Sequence, residues 1–145
     1  MARTSTYLNF PRETEAAFTF YRSIFGGDFT PPGIRRFRDM PVPPDAPPMD
    51  PRDLDLVMHV ELAILGGHML MGTDAPPSMG FQVTVGTNVS LNLEPDTIAE
   101  GERIFEALAD GGTVEMPLQP MFWGATFGSL TDRFGVKWMV NCPTP

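Results

Sequence analysis

The sequence predicts an α+β fold of two βαβββ repeats. Each repeat is a curved mixed sheet with one helix packed on it, and the two sheets line a concave cavity. Three observations carry that prediction. An alternating, strand-like run opens each half, TYLNF at 6–10 and NVSLNLE at 88–94. A stretch with apolar residues three and four apart follows each run, as one buried helix face requires. Both stretches end at a glycine pair, Gly26-Gly27 and Gly111-Gly112, 85 residues apart. Self-similarity is sought first because a missed repeat misassigns every later element.

In the first repeat the helix spans about Glu13 to Phe25, with Ala17, Phe20, Tyr21, Ile24 and Phe25 as its apolar stripe. Gly26 stops it, because a residue without Cβ enters the left-handed region at little cost. Strand-like runs follow at Phe29 to Phe37, Leu56 to Ile64 and His68 to Thr73. In the second repeat Pro95 suits the first helical turn, and Ile98, Ile104, Phe105 and Leu108 form the stripe. Its strand-like runs are Thr113 to Leu118, Gly124 to Leu130 and Val136 to Cys142. Gly66-Gly67 and Phe134-Gly135 make the last turn of each copy and align HMLMGTD with VKWMVNC. The first copy is longer through Asp39 to Arg52, in a region with seven prolines between Pro31 and Pro48. Proline removes ladder donors, so this segment is expected to be a loop. The repeats run about 3–75 and 87–142 within a single domain of 1–145.

A chain of 145 residues with 42% hydrophobic content can bury a sizeable core. Its formal charge of -8 and pI near 4.5 oppose partners held by phosphate or anionic lipid, so no nucleic acid and no membrane are expected. The lone Cys142 forms no intramolecular disulfide and no Cys-rich zinc site. MARTSTYLNF has no apolar stretch after a basic start, and no run approaches the roughly 18 apolar residues of a span. A cytoplasmic location is the expectation.

The runs YLNFPRETEAAFTFYRSIFGG, HVELAILGGHMLMGTD and FWGATFGSLTDRFGVKWMVN together resemble the PhnB-like branch of the vicinal oxygen chelate superfamily. This is the fold of glyoxalases, bleomycin-resistance proteins and extradiol dioxygenases. The likeness covers nearly the whole chain, and the closing FG-x-x-W-M-x-N run is its most distinctive part. The resemblance implies a homodimer, since the sheets of related proteins commonly pair or exchange modules across subunits. It also implies where a metal would sit. In metal-binding members each first strand gives a His or similar ligand and each last strand a Glu, all on the concave face.

At the expected places the last strands here carry Met71 and Met139, four residues after Gly67 and Gly135. The opening strands offer Tyr7 or a neighbour in one copy and Asn88, Val89 or Ser90 in the other. Thioether sulfur is a poor substitute for the imidazole and carboxylate that zinc, nickel or manganese prefer. No cofactor is therefore expected, and a divalent metal would have to use a lesser set of His59, Glu61 and a borrowed oxygen. The same ligand count argues against glyoxalase chemistry and against an iron dioxygenase with its 2-His-1-carboxylate triad. The methyltransferase label that some members of this branch carry is not supported either. Both glycine pairs end helices, and no glycine-rich loop opens one around a nucleotide.

Strand alternation selects the residues that face the cavity. Leu56, Met58, Val60, Leu62 and Ile64 form an apolar face, which leaves Val57, His59, Glu61 and Ala63 on the other side. By the same rule Tyr7 and Asn9 oppose Leu8 and Phe10, while Asn88, Ser90 and Asn92 oppose Val89, Leu91 and Leu93. His59 with Glu61 is either an acid/base pair or a satisfied polar pair in a wet pocket. Tyr7, Asn9, Met71, Trp123, Met139 and Asn141 are the candidate ligand-binding residues, while Trp138 is assigned to the core. His68 is read as a rim residue, Cys142 as a small buried one, and Asp132-Arg133 as fixing its turn. Arg35, Arg36 and Arg38 are either an anion clamp or a solvated edge strand.

Two functions follow from these residues. One is a metal-independent binder of a small, partly apolar molecule, with Met and Trp lining the cavity. The other is a lyase or isomerase in which His59 acts as general base with Glu61 or Tyr7 assisting.

Overall fold

The structure, a computed structural model, describes residues 1–143. The chain divides into two compact units, one ending at Val83 and one beginning at Thr84. The first holds β1 (Thr6–Phe10), α1 (Thr14–Phe25), β2 (Arg35–Arg36), β3 (Val57–Ala63) and β4 (Met69–Asp74). Its sheet order is β1-β4-β3-β2, with β1 parallel to β4 and the other pairs antiparallel. The second holds β5 (Leu91–Leu93), α2 (Ile98–Ala109), β6 (Thr113–Pro120), β7 (Ala125–Thr131) and β8 (Lys137–Pro143). Its order, β5-β8-β7-β6 with β5 parallel to β8, repeats the first. The two βαβββ repeats and the mixed sheets are therefore those the sequence predicts.

Each helix buries one stripe against its own sheet. On α1 the buried residues are Thr14, Ala17, Phe18, Tyr21 and Ile24. Phe18 takes the place the sequence reading gave to Phe20, while Phe20 and Phe25 stay half-buried. The sheet explains the difference, because a Cβ on Gly72 of β4 would overlap the Phe18 ring. Only a glycine leaves that ring room to lie flat on the strand. Burying a side chain of this size stabilises by about 1.5–3 kcal/mol. On α2, Gly101, Ile104, Phe105 and Leu108 are buried, and a Cβ at Gly101 would overlap Cys142 Sγ on β8.

Two buried carboxylates serve as acceptors for backbone donors. Asp74, the last residue of β4, accepts from Thr14 N–H through Oδ1 at 3.0 Å and from Val57 N–H through Oδ2 at 2.8 Å. It thereby satisfies a first-turn donor of α1 that the Glu13 side chain leaves uncapped. Asp132, between β7 and β8, accepts from Phe134 N–H at 2.8 Å, Val136 N–H at 3.0 Å and Trp138 Nε1 at 2.9 Å. Trp138 is fully buried, as expected of a core residue, and Asp132 holds its turn. Helix α2 is capped by Thr97 Oγ1, which accepts from Glu100 N–H at 3.1 Å. Pro95 lies before that cap and outside the first turn.

Three strand expectations need correction. In the run Phe29 to Phe37 only Arg35–Arg36 pairs. Pro31 and Pro32 have no N–H to give, and Gly33 turns the chain at φ 94°. In NVSLNLE only Leu91–Leu93 is strand, so Asn88 and Ser90 precede β5. In β3 the alternation breaks, because Arg35 stands opposite His59 and Arg36 opposite Val57. Met58 is thus the extra residue of a β-bulge. Val57 is buried where alternation exposed it, and Met58 is half-exposed where alternation buried it.

The Pro-rich segment 39–52 contributes no strand. Just beyond it the buried Asp53 accepts from Ser78 Oγ at 2.7 Å and Arg12 Nη1 at 2.8 Å, while Arg12 Nη2 donates to Arg52 O at 2.8 Å. Ser78 first and Arg12 second hold the Asp53 carboxyl below its usual range. Among the described residues no helix is long and apolar enough to cross a membrane.

Two stability predictions follow from these contacts. A depressed carboxyl stabilises fully above its ordinary value of about 4 and loses that contribution as pH falls through the folded value. Asp53→Asn therefore lowers Tm at pH 7, and calorimetry at decreasing pH shows its deficit shrinking below about pH 4. A deficit that stays constant with pH would refute the assignment. Gly101→Ala would favour an isolated helix by about 1 kcal/mol. Here it is expected to destabilise by about 1–3 kcal/mol through overpacking. Denaturant melts should show the loss reduced in a Cys142→Ala background.

Candidate functional site

The site lies on the face of the first unit's sheet opposite α1. Strand pairing sets Tyr7 of β1 beside Met71 of β4, and Met71 beside Glu61 of β3. His59 stands two residues before Glu61, past the bulge, on the same face. The Tyr7 hydroxyl is 2.9 Å from His59 Nδ1, and the two rings are 5.6 Å apart. His59 Nε2 lies 3.7 Å from Glu61 Oε2, and Arg3 Nη2 lies 3.5 Å from Glu61 Oε1. The result is a chain of four polar groups running Tyr7, His59, Glu61, Arg3.

Electrostatics orders the protons along it. Burial first, and the Glu61 charge second, push the Tyr7 phenol above its ordinary value of 10.0. Tyr7 is therefore neutral at pH 7 and donates into Nδ1. The imidazole proton then resides on Nε2, facing the Glu61 carboxylate. The opposite tautomer would set a nitrogen lone pair against that carboxylate.

Beside this chain is a pocket of about 210 Å³, lined by the turn at 30–33, Arg35, His59 and Glu61. Thr30 N–H donates to Glu61 O at 2.9 Å and Gly33 N–H to Thr30 O at 2.8 Å, which fixes the turn over β3. The arginine cluster separates by role. Arg36 makes a two-pronged pair with Glu15 at 2.9 and 3.0 Å, and Arg38 Nε donates to Asp55 at 2.6 Å. Arg35 alone of the three lines the pocket. Sequence reasoning missed Arg3, which lies before any periodic pattern, and the Pro31-Pro32-Gly33 turn, which a breaker signal would have marked.

In the second unit the row equivalent to Tyr7, Met71 and Glu61 is Asn92, Met139 and Ser129. The counterpart of Tyr7 is thus Asn92, and not Asn88, Val89 or Ser90. The first row presents a phenol, a thioether and a carboxylate, and the second an amide, a thioether and a hydroxyl. Neither row fits the metal of the superfamily, which takes imidazoles and paired carboxylates. Among the described residues, no group of three or more His, Cys, Asp or Glu is placed to hold a metal ion. Met71 Sδ instead accepts a hydrogen bond from Ser5 Oγ at 3.8 Å.

The candidate residues fall into two groups. Tyr7, Asn9, His59, Glu61 and Met71 share the first unit's face, although Asn9 is exposed and joins none of these contacts. Met139 and Asn141 lie on β8 of the second unit, and the Asn141 carbonyl oxygen is buried with no hydrogen-bond partner among the described residues. Trp123 sits between β6 and β7, half-exposed, edge-on to Phe122 at 5.0 Å and Phe127 at 5.8 Å. His68, read as a rim residue, is half-buried with Nε2 2.8 Å from Thr6 Oγ1, and so ties β1 to the start of β4.

Two βαβββ units of identical strand order, each with its first strand parallel to its last, define the glyoxalase/bleomycin-resistance class of protein. A glyoxalase/bleomycin resistance/dioxygenase domain from Frankia sp. EAN1pec shares that fold at 11% identity, with TM-score 0.64 over 99% of this chain and 98% of its own. Nearer relatives include protein PA1353 from Pseudomonas aeruginosa, 39% identical with TM-score 0.83 over the whole of both chains. Protein YjdN of Escherichia coli (strain K12) is 31% identical over 94% of this chain and 92% of its own. A family model described as 3-demethylubiquinone-9 3-methyltransferase matches residues 2–141. The chain belongs to that family, the PhnB-like branch of the vicinal oxygen chelate superfamily. The methyltransferase in its description is a misnomer for this fold, which among the described residues has no doubly wound sheet and no glycine loop opening a helix.

A spectroscopic prediction follows for Tyr7. Absorbance titration of tyrosinate should place a transition above pH 10 that disappears in Tyr7→Phe and moves to lower pH in Glu61→Gln. A transition indifferent to Glu61 would refute the coupling.

Proposed function

We propose that this protein binds a small organic molecule in the pocket beside His59 and Glu61, without the usual catalytic metal of its superfamily. The observation that carries this reading is the state of His59. Its Nδ1 lone pair takes the Tyr7 hydroxyl at 2.9 Å, while Nε2, 3.7 Å from Glu61 and beyond hydrogen-bond distance, carries the proton and is left open to the pocket. A general base must offer a free lone pair to the proton it abstracts. His59 offers none, so it serves as a wall and a hydrogen-bond donor to whatever fills the pocket.

The donor chemistry of the two ladder rows supports the same reading, since thioethers contribute shape and apolar surface where a metal would need charge. A homodimer in the cytoplasm belongs to the proposal. The exposed edge strand β6, with Val114 and Met116 uncovered, supports pairing with a second copy.

A ligand specific for the folded state raises stability by RT ln(1 + [L]/Kd), about 2.7 kcal/mol at one hundred times Kd. In a thermal-shift screen of chelator-treated protein, organic metabolites should stabilise the fold, and divalent metals should not. His59→Gln should retain most of that stabilisation. A stoichiometric transition metal, or an activity that falls about 10²-fold in His59→Gln with binding intact, would sink the proposal.

A further inference from the structure

Among the chain's cations, Arg35 stands apart. Of the ten lysines and arginines, eight reach a carboxylate within the described residues. Arg22 lies over the Phe29 ring at 4.7 Å. Among the described residues Arg35 has neither kind of partner, although the chain carries eighteen acidic residues and a net charge of -8. Its β2 position opposite His59 sets it at the wall of the pocket, and the Glu61 in that pocket is engaged by Arg3 instead. A guanidinium offers a planar fork of donors suited to an anion with two oxygens.

We infer that Arg35 is the anion anchor of this pocket and that the ligand is a small monocarboxylate. The inference rests on the pocket reading above and specifies its chemistry. Charge selects a single negative group, because a phosphate dianion would have to approach Glu61 inside an already acidic protein. Size selects a small one, since about 210 Å³ lies below the roughly 300–1,000 Å³ of sites for drug-sized ligands. Its carboxylate pairs with the guanidinium, and an oxygen acceptor on the ligand takes the His59 Nε2 proton.

The test is a titration of the ¹⁵N-labelled full-length chain, followed by NMR, with propionate, lactate, the neutral isostere propionamide and inorganic phosphate. Propionate and lactate should shift the amide signals of Thr30, Gly33 and His59 saturably. Arg35→Gln should weaken that binding about 10- to 100-fold, the loss expected for one charge-assisted contact. Arg35→Lys should fall between, keeping the charge without the fork. Arg38→Gln removes an equal charge outside the pocket and should leave binding unchanged.

The inference is overturned if Arg35→Gln binds propionate as well as the parent does, if propionamide equals propionate, or if phosphate binds more tightly than either acid. Silence of these three signals toward every probe overturns it as well. The pocket reading fails by a separate signature, namely stabilising metabolites whose shifts map away from residues 30–33, 59 and 61. A neutral compound that shifts those signals equally in the parent and Arg35→Gln would preserve the pocket and remove only the anion.

Discussion

The site depends on one buried carboxylate that lies outside it. Asp74 ends β4 and accepts the first-turn N–H of α1 with one oxygen and the first N–H of β3 with the other. These three elements are separate in the chain and meet at a single side chain. Their meeting fixes α1 and β3 against β4, and strand pairing sets β1 on the other side of β4, so that Tyr7 and Glu61 flank Met71 in one row. Left without this acceptor, two buried backbone donors would each be orphaned at a cost of about 1–3 kcal/mol.

The second unit reaches the same topology with a different anchor. Asp132 caps the turn into β8 and takes the indole N–H of a fully buried tryptophan. The two units share strand order and small residues beneath a helix ring, Gly72 under Phe18 and Gly128 under Phe105. They differ on the opposite face. The row Tyr7, Met71, Glu61 corresponds to Asn92, Met139, Ser129, so only the first of these two rows carries charge. The packing beneath the helix tolerates few alternatives and is alike in the two units, whereas the opposite face is under no such constraint and differs.

Charge at the first unit's face is arranged through exclusion as much as attraction. Arg36 and Arg38 are drawn to Glu15 and Asp55, and Arg3 to Glu61, so the acidic surface absorbs most of its counter-charges locally. Exposed pairs of this kind contribute only about 0–1 kcal/mol each to stability. Their larger consequence is to define which guanidinium faces the pocket without a partner.

Much of this was legible in the sequence. Both helices, their glycine stops, the repeat, the thioethers on the last strands and the shared side of His59 and Glu61 follow from periodicity, a local property of the backbone. Even there a single bulge at Met58 exchanged the faces of Val57 and Met58, because an extra residue resets the alternation only where a partner strand is present. The contact of Tyr7 with His59, 52 residues away, depends on strand order and register, as does the fit of Gly101 against Cys142. The sorting of three neighbouring arginines was decided in the same way. Composition determined that cations would be scarce. Only the tertiary structure decided which of them found a carboxylate, since partner choice is a matter of distance in space rather than spacing along the chain.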